Sequence, residues 1–326
     1  MKRTHDILSL DSTHLASKAL DLLAPLILTR TLGFTDRPKP MPHPYGSARI
    51  PNAFPSLDRV SIELFPRLNS LRSGWDTEVI PARTLCICFI ATQLDFMYTR
   101  RLFGNHFDLL QHFDVDGICS LFARWYEDGL MKGARKFFRG RFQTVDLPTL
   151  CRLLKEWESV SVPILGMRDF ATWLRTYDGI GPLHSMVIAR ELRLYDFFPS
   201  DESIPLGKGQ GSFKFLTDVG VPPEQMEGVI RCIQSHFQEK MEVECKSRGV
   251  EANASAGAIL LRKPTYIEVE NMLCEMRKMI KVKEGKRAKK FYGGKNEIPS
   301  TKVPIPLVDE AGRVAVKVVD LGEMGA

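Results

Sequence analysis

The sequence predicts a mainly α-helical chain with a small β-hairpin near its C-terminal end, and three observations carry that prediction. Apolar residues recur at three- and four-residue spacing through most of the 326 residues. Aspartates and prolines stand where helices take them as first residues, and glycines mark the breaks. Only near the end does the period change: Val303 to Val308 and Val314 to Val319 flank Asp309-Glu310-Ala311-Gly312, the pattern of two strands and a turn.

In chain order, Leu20 to Leu32 reads as a buried helix capped by Asp11 or Ser12 and kinked at Pro25. From Arg37 to Pro55 proline appears six times among few large apolar residues, which reads as an extended strap. Leu57 to Leu71 is a short amphipathic piece ending at a Ser73-Gly74 turn. Pro81 to Tyr98 is apolar enough for a core helix, with Arg100 and Arg101 where the helix dipole favours positive charge. Asp114 to Asp128 and Asp146 to Val160 each open on a capping aspartate. Between them, Lys132 to Arg141 interleaves basic residues with Phe137 and Phe138, which suits a nucleic-acid strand as well as a solvated helix face. Pro222-Pro223 start a long helix reaching about Arg248, striped by Met226, Val229, Ile230, Ile233, Phe237 and Met241. Gly249 to Gly257 is a loop, and Pro264 opens a helix over Tyr266 to Val282. The chain is thus expected to divide into an N-terminal helix and strap (1–56), a helical body with a basic end (57–295) and a tail with the hairpin (296–326).

Composition narrows the function classes. A chain with 44% hydrophobic and 26% charged residues can bury a sizeable core. No secretory signal or membrane span is visible, since Leu20 to Leu32 is too short and carries Pro25 and Arg30. The formal charge of +6 is mild, so nucleic-acid binding must be argued from where the charge sits. Seven scattered cysteines fit a reducing compartment without a disulfide framework. Only Cys86 and Cys88 are close, with no second pair nearby, so neither a metal site nor a cofactor is expected.

The stretch richest in chemistry runs from Gly166 to Leu216. Phe170, Trp173, Leu174 and Tyr177 give one helix a buried face; Asp178-Gly179-Ile180-Gly181-Pro182 forms a tight turn; Leu183 to Leu194 continues as a second helix. Ile180 can plug the turn into the core, and Pro182 suits the first helical position. Backbone N–H groups at Gly179, Ile180 and Gly181, with the helix dipole behind them and His184 just inside, suit a phosphate. An ordinary helix-turn-helix corner has the same pattern. Asp196 and Asp201 follow, then Gly207-Lys208-Gly209-Gln210-Gly211-Ser212. Lys208, Gly209, Gly211, Ser212 and Lys214 make a second candidate phosphate loop. From Arg277 to Lys295 nine basic residues, with Lys286, Arg287, Lys289 and Lys290 at their centre, face the single acid Glu284. Such a run binds phosphate or, in a eukaryote, directs a protein to the nucleus.

The turn resembles the helix-hairpin-helix of the DNA glycosylase superfamily, and Asp201 lies 22 residues after Gly179, the separation of that superfamily's catalytic aspartate. Bifunctional members carry a lysine nucleophile where Leu183 stands, which points to water or another external nucleophile. Gly179-Ile180-Gly181-Pro182, Glu191-Leu192-Arg193-Leu194-Tyr195, the loop leading to Phe215-Leu216, and Glu270 to Glu275 followed by Lys278 narrow the likeness. Together they resemble the alpha-glutamyl/putrescinyl thymine pyrophosphorylase group, related to the helical domain of 5-hydroxymethyluracil DNA kinases. That group usually has an aspartate near the position of Glu191 and a Gly-Pro-Gly in the glycine loop. The likeness implies a two-lobed, glycosylase-like fold, and the N-terminal segment is expected to pack back on the body across the proline-rich strap. It implies an enzyme that flips a modified thymine out of DNA and displaces a pyrophosphate from its methyl carbon with an amine or amino acid. Asp201, Asp196 and Glu191 are then the candidate catalytic carboxylates. A monofunctional glycosylase and a DNA-binding module without chemistry are the alternatives. The expected partners are duplex DNA and a small amine or amino acid, and the expected location is the nucleus in a eukaryote or otherwise the cytoplasm.

Overall fold

Ala16, Ala19, Leu20, Leu23, Ala24, Ile27 and Leu28 share one face of a helix, and all of them are buried. In the computed structural model this helix, α1, spans Lys2–Thr35. The structure describes residues 2–35, 54–57, 59–93, 96–128, 151–156, 166–177, 180–204, 206–207, 210–250, 255–285 and 302–320. The capping expected of Asp11 or Ser12 is corrected: both lie inside α1, which starts a further two turns upstream. The strap from Arg37, Lys132 to Arg141, Asp146, Gly179, Lys208, Gly209 and Lys286 to Lys290 fall outside the described residues.

The chain forms two compact units, a terminal unit of Met1–Asp58 with Pro199–Ala326 and a middle unit of Arg59–Phe198. In the middle unit, α2 (Arg59–Arg72), α3 (Ile80–Gln93), α4 (Phe96–Asn105), α5 (Phe107–Gln111), α6 (Val115–Glu127), α7 (151–156), α8 (Met167–Leu174) and α9 (Pro182–Arg193) follow in order. The run Leu85 to Ala91 is buried without interruption, so α3 is the central helix, packed on α2 and α9. Of the stretch Pro81 to Tyr98 expected as one helix, the described residues are helical up to Gln93 in α3 and from Phe96 in α4. The Asp114 carboxylate caps α6 by accepting from Gly117 N–H at 2.8 Å. Phe113, just before that cap, is buried at a φ of 53°, a strained conformation for an aromatic residue.

The terminal unit is built on α1 against α11 (Met226–Ser247), whose Val229, Ile230, Ile233, Phe237 and Met241 are buried. The three alanines of α1 let the helices approach closely. Burying Leu20, Leu23, Ile27 and Leu28 contributes about 6 to 12 kcal/mol at the usual 1.5–3 kcal/mol per large side chain. Helix α10 (Gly211–Asp218) packs on α13 (Tyr266–Lys283), and α12 (Ser255–Leu260) occupies part of the stretch expected as a loop. A capping box starts α13: the Thr265 hydroxyl accepts from Glu268 N–H, and the Glu268 carboxylate accepts from Thr265 N–H. Glu268 is also gripped by both guanidinium nitrogens of Arg262, at 2.9 and 2.5 Å, and Arg262 donates onward to the Pro306 carbonyl at 2.8 Å. The predicted hairpin is present as β1 (Lys302–Val308) and β2 (Val314–Asp320), antiparallel, with Val308 paired to Val314. Gly312 at φ 76° makes its turn. No helix among the described residues is long and apolar enough to cross a membrane.

Candidate functional site

The turn after α8 is anchored as its residues dictate. Ile180 is 4% exposed, its N–H donates to the Tyr177 carbonyl at 3.1 Å, and Pro182 is the first residue of α9. Gly181 precedes it in extended conformation, leaving the first N–H groups of α9 without intrahelical acceptors. Arg175 stands beside this helix end. Its Nε donates to the Ser185 hydroxyl at 3.0 Å, while its Nη2 is buried and meets no acceptor among the described residues. Burial lowers the Arg175 pKa and also that of His184, which favours a neutral imidazole.

Glu191, on the same α9, sits in a different setting. It is 1% exposed, accepts from the Ser61 hydroxyl at 2.9 and 3.0 Å, and lies 3.4 Å from Arg190 Nη2. Burial raises its carboxyl pKa, with Arg190 and Ser61 opposing. The Cys88 thiol and the Tyr195 hydroxyl lie close enough to share its electrostatics, and burial raises both. The Tyr195 hydroxyl has no hydrogen-bond partner among the described residues, and its ring is stacked on Phe65 at 5.5 Å. Asp196, three residues past the end of α9, is exposed at a φ of 63°. An aspartate accepts the left-handed conformation more readily than most residues, and this local demand explains its position.

Asp201 belongs to the terminal unit, whereas the turn, Glu191 and Asp196 belong to the middle one. The side chain of Asp201 is 3% exposed. It accepts from Arg231 Nη1 at 2.8 Å, Gln234 Nε2 at 2.5 Å and Tyr266 N–H at 2.9 Å, and Arg231 Nη2 also holds its backbone carbonyl at 2.7 Å. Tyr266 is the first residue of α13, so Asp201 adds an external cap to the capping box. The segment is fixed from the other side by Asp201 N–H donating to the Gly312 carbonyl at 2.9 Å and Val314 N–H to Pro199 at 2.7 Å.

The glycine loop turns inward where it is described. The Ser212 hydroxyl is fully buried and donates to Glu270, and a β-carbon at Gly211 would stand 2.5 Å from the Cys274 sulfur. Close helix packing thus supplies a structural reason for Gly211, and a buried hydrogen bond supplies one for Ser212. Lys214 is exposed. Among the described residues no group of three His, Cys, Asp or Glu side chains could hold a metal ion. The partners that matter most were not singled out by sequence. Arg175 was legible as a charge two residues before Tyr177, but Ser61, Arg231 and Gln234 reach their carboxylates over long separations that leave no local signal. The chain matches no protein-family model, no curated protein and no solved structure.

Proposed function

We propose that this chain binds DNA through the turn 177–182 and acts on a flipped, modified thymine, displacing a pyrophosphate on the methyl carbon with an amine or amino acid. The observation that carries the reading is the turn: Ile180 seated in the core, the α9 N-terminus beside it, and the Arg175 guanidinium with a buried N–H that meets no acceptor among the described residues. These are donors of the kind a backbone phosphate takes. A second reading, DNA binding without chemistry, is favoured by one observation: the Asp201 carboxylate is already held by Arg231, Gln234 and Tyr266 N–H.

The test begins with duplex binding by fluorescence anisotropy across a salt series. Arg175→Gln should weaken binding equally for all sequences and flatten the logarithmic salt slope by about one. Nucleoside mass spectrometry then follows on duplexes carrying thymine, 5-hydroxymethyluracil or its pyrophosphorylated form, incubated with mixed amines and amino acids. A new base mass with the glycosidic bond intact establishes the transfer, and free base with an abasic site establishes a glycosylase. Binding without product leaves the second reading. Absence of binding by a folded protein refutes both.

A further inference from the structure

Cys119 stands on α6 and Cys151 on α7, and their thiols lie close enough to interact across the two helices. A second contact fixes the same facing. Lys155, one turn after Cys151, places its Nζ 2.5 Å from the carboxylate of Asp116, one turn before Cys119. Both thiols are half-buried, within reach of a small reagent, whereas Cys86, Cys88 and Cys245 are buried. Burial pushes the Cys274 thiol up to about 12, which keeps it protonated.

We propose that Cys119 and Cys151 form a reversible disulfide by exchange with a small disulfide of the glutathione class. The contact between the two thiols raises the pKa of Cys119 and lowers that of Cys151, and the Lys155 ammonium adds to the lowering. Cys151 is thus the attacking thiolate. It bonds to one sulfur of the external disulfide, the external S–S bond breaks, and the departing thiolate takes up a proton. Cys119 then loses its proton and attacks the Cys151 sulfur, and the second external thiol leaves. The two protein thiols give up two electrons and two protons in all, and the external disulfide gains both.

The test equilibrates the full chain in glutathione buffers of stepped ratio, quenches with acid, alkylates free thiols and maps the peptides by mass spectrometry. The expected product is one linked pair, Cys119 to Cys151, lost on adding dithiothreitol. Its fraction follows oxidised glutathione divided by the square of reduced glutathione. Cys232, also half-buried, is the exposure control and stays unlinked to either. In Cys119→Ser the expected product is a mixed disulfide at Cys151, whose fraction follows oxidised glutathione divided by the first power of reduced glutathione. The proposal is overturned if wild-type Cys119 and Cys151 remain alkylated, or carry only separate glutathione adducts, throughout the oxidising series.

Discussion

Replacing Asp201 with alanine removes an acceptor that three donors on α11 and α13 share. Charge-assisted hydrogen bonds contribute about 1.5–3 kcal/mol each, and loss of a helix cap costs about 1 kcal/mol. These contributions do not add, because Arg231 is 37% exposed and regains water once its partner is gone. The cost therefore stays at the lower edge of the 3–5 kcal/mol of a fully buried broken pair, about 3 kcal/mol. Asparagine keeps one acceptor oxygen but turns an NH2 toward a donor, and should cost about 2 kcal/mol. In a unit of this size each kcal/mol moves Tm by about 2–4 °C, so alanine lowers Tm by about 6–12 °C. Urea unfolding should show the midpoint falling at unchanged slope. A loss under about 1 kcal/mol would refute the reasoning, because the carboxylate would then be held without contributing, as a residue kept for chemistry would be.

Two further outcomes follow from buried contacts. Burial raises the Glu191 pKa in the folded state, so the folded protein binds more protons than the unfolded one over the intervening range. Its contribution is full below the unfolded value of about 4.3 and is lost as pH rises through the folded value. The stability of wild type relative to Glu191→Gln should accordingly fall as pH rises through that window, and a difference flat with pH in urea titrations would contradict this. Gly211→Ala puts a β-carbon 2.5 Å from the Cys274 sulfur and 3.3 Å from its α-carbon. It should cost about 1–3 kcal/mol, with Cys274→Ala recovering part of the loss in a double-mutant cycle. Full additivity of the two changes would remove the steric explanation.

Local signals carried well from sequence to structure where the interaction itself is local. Asp114 was legible as a cap because its partner, Gly117 N–H, is three residues away. The hairpin was legible because Gly312 and the alternating valines specify turn and pairing together. Asp11 and Ser12 looked like a cap for the same reason, but the helix runs on upstream of them to Lys2. The two glycine-bearing segments show the limit most clearly. Gly181 lies at a helix start, as its neighbours announce, while Gly211 answers to Cys274, 63 residues away, through a packing distance no spacing encodes. Asp201 is the same case in polar form: its position relative to Gly179 suggested chemistry, and its bonds to residues 231, 234 and 266 supply a structural reason for an aspartate there.

The docking of α1 on α11 has a consequence during synthesis. Helix α1 leaves the ribosome first, yet its partner begins only at Met226. At about 5–20 residues per second, the roughly 190 residues between them take about 10–40 seconds to be made. Throughout that interval Leu20, Leu23, Ile27 and Leu28 have no native cover, while Arg59–Phe198 is complete and free to fold. The nascent chain thus presents a greasy stripe to holding chaperones until late in translation, and slowing elongation after Phe198 would lengthen its exposure to aggregation.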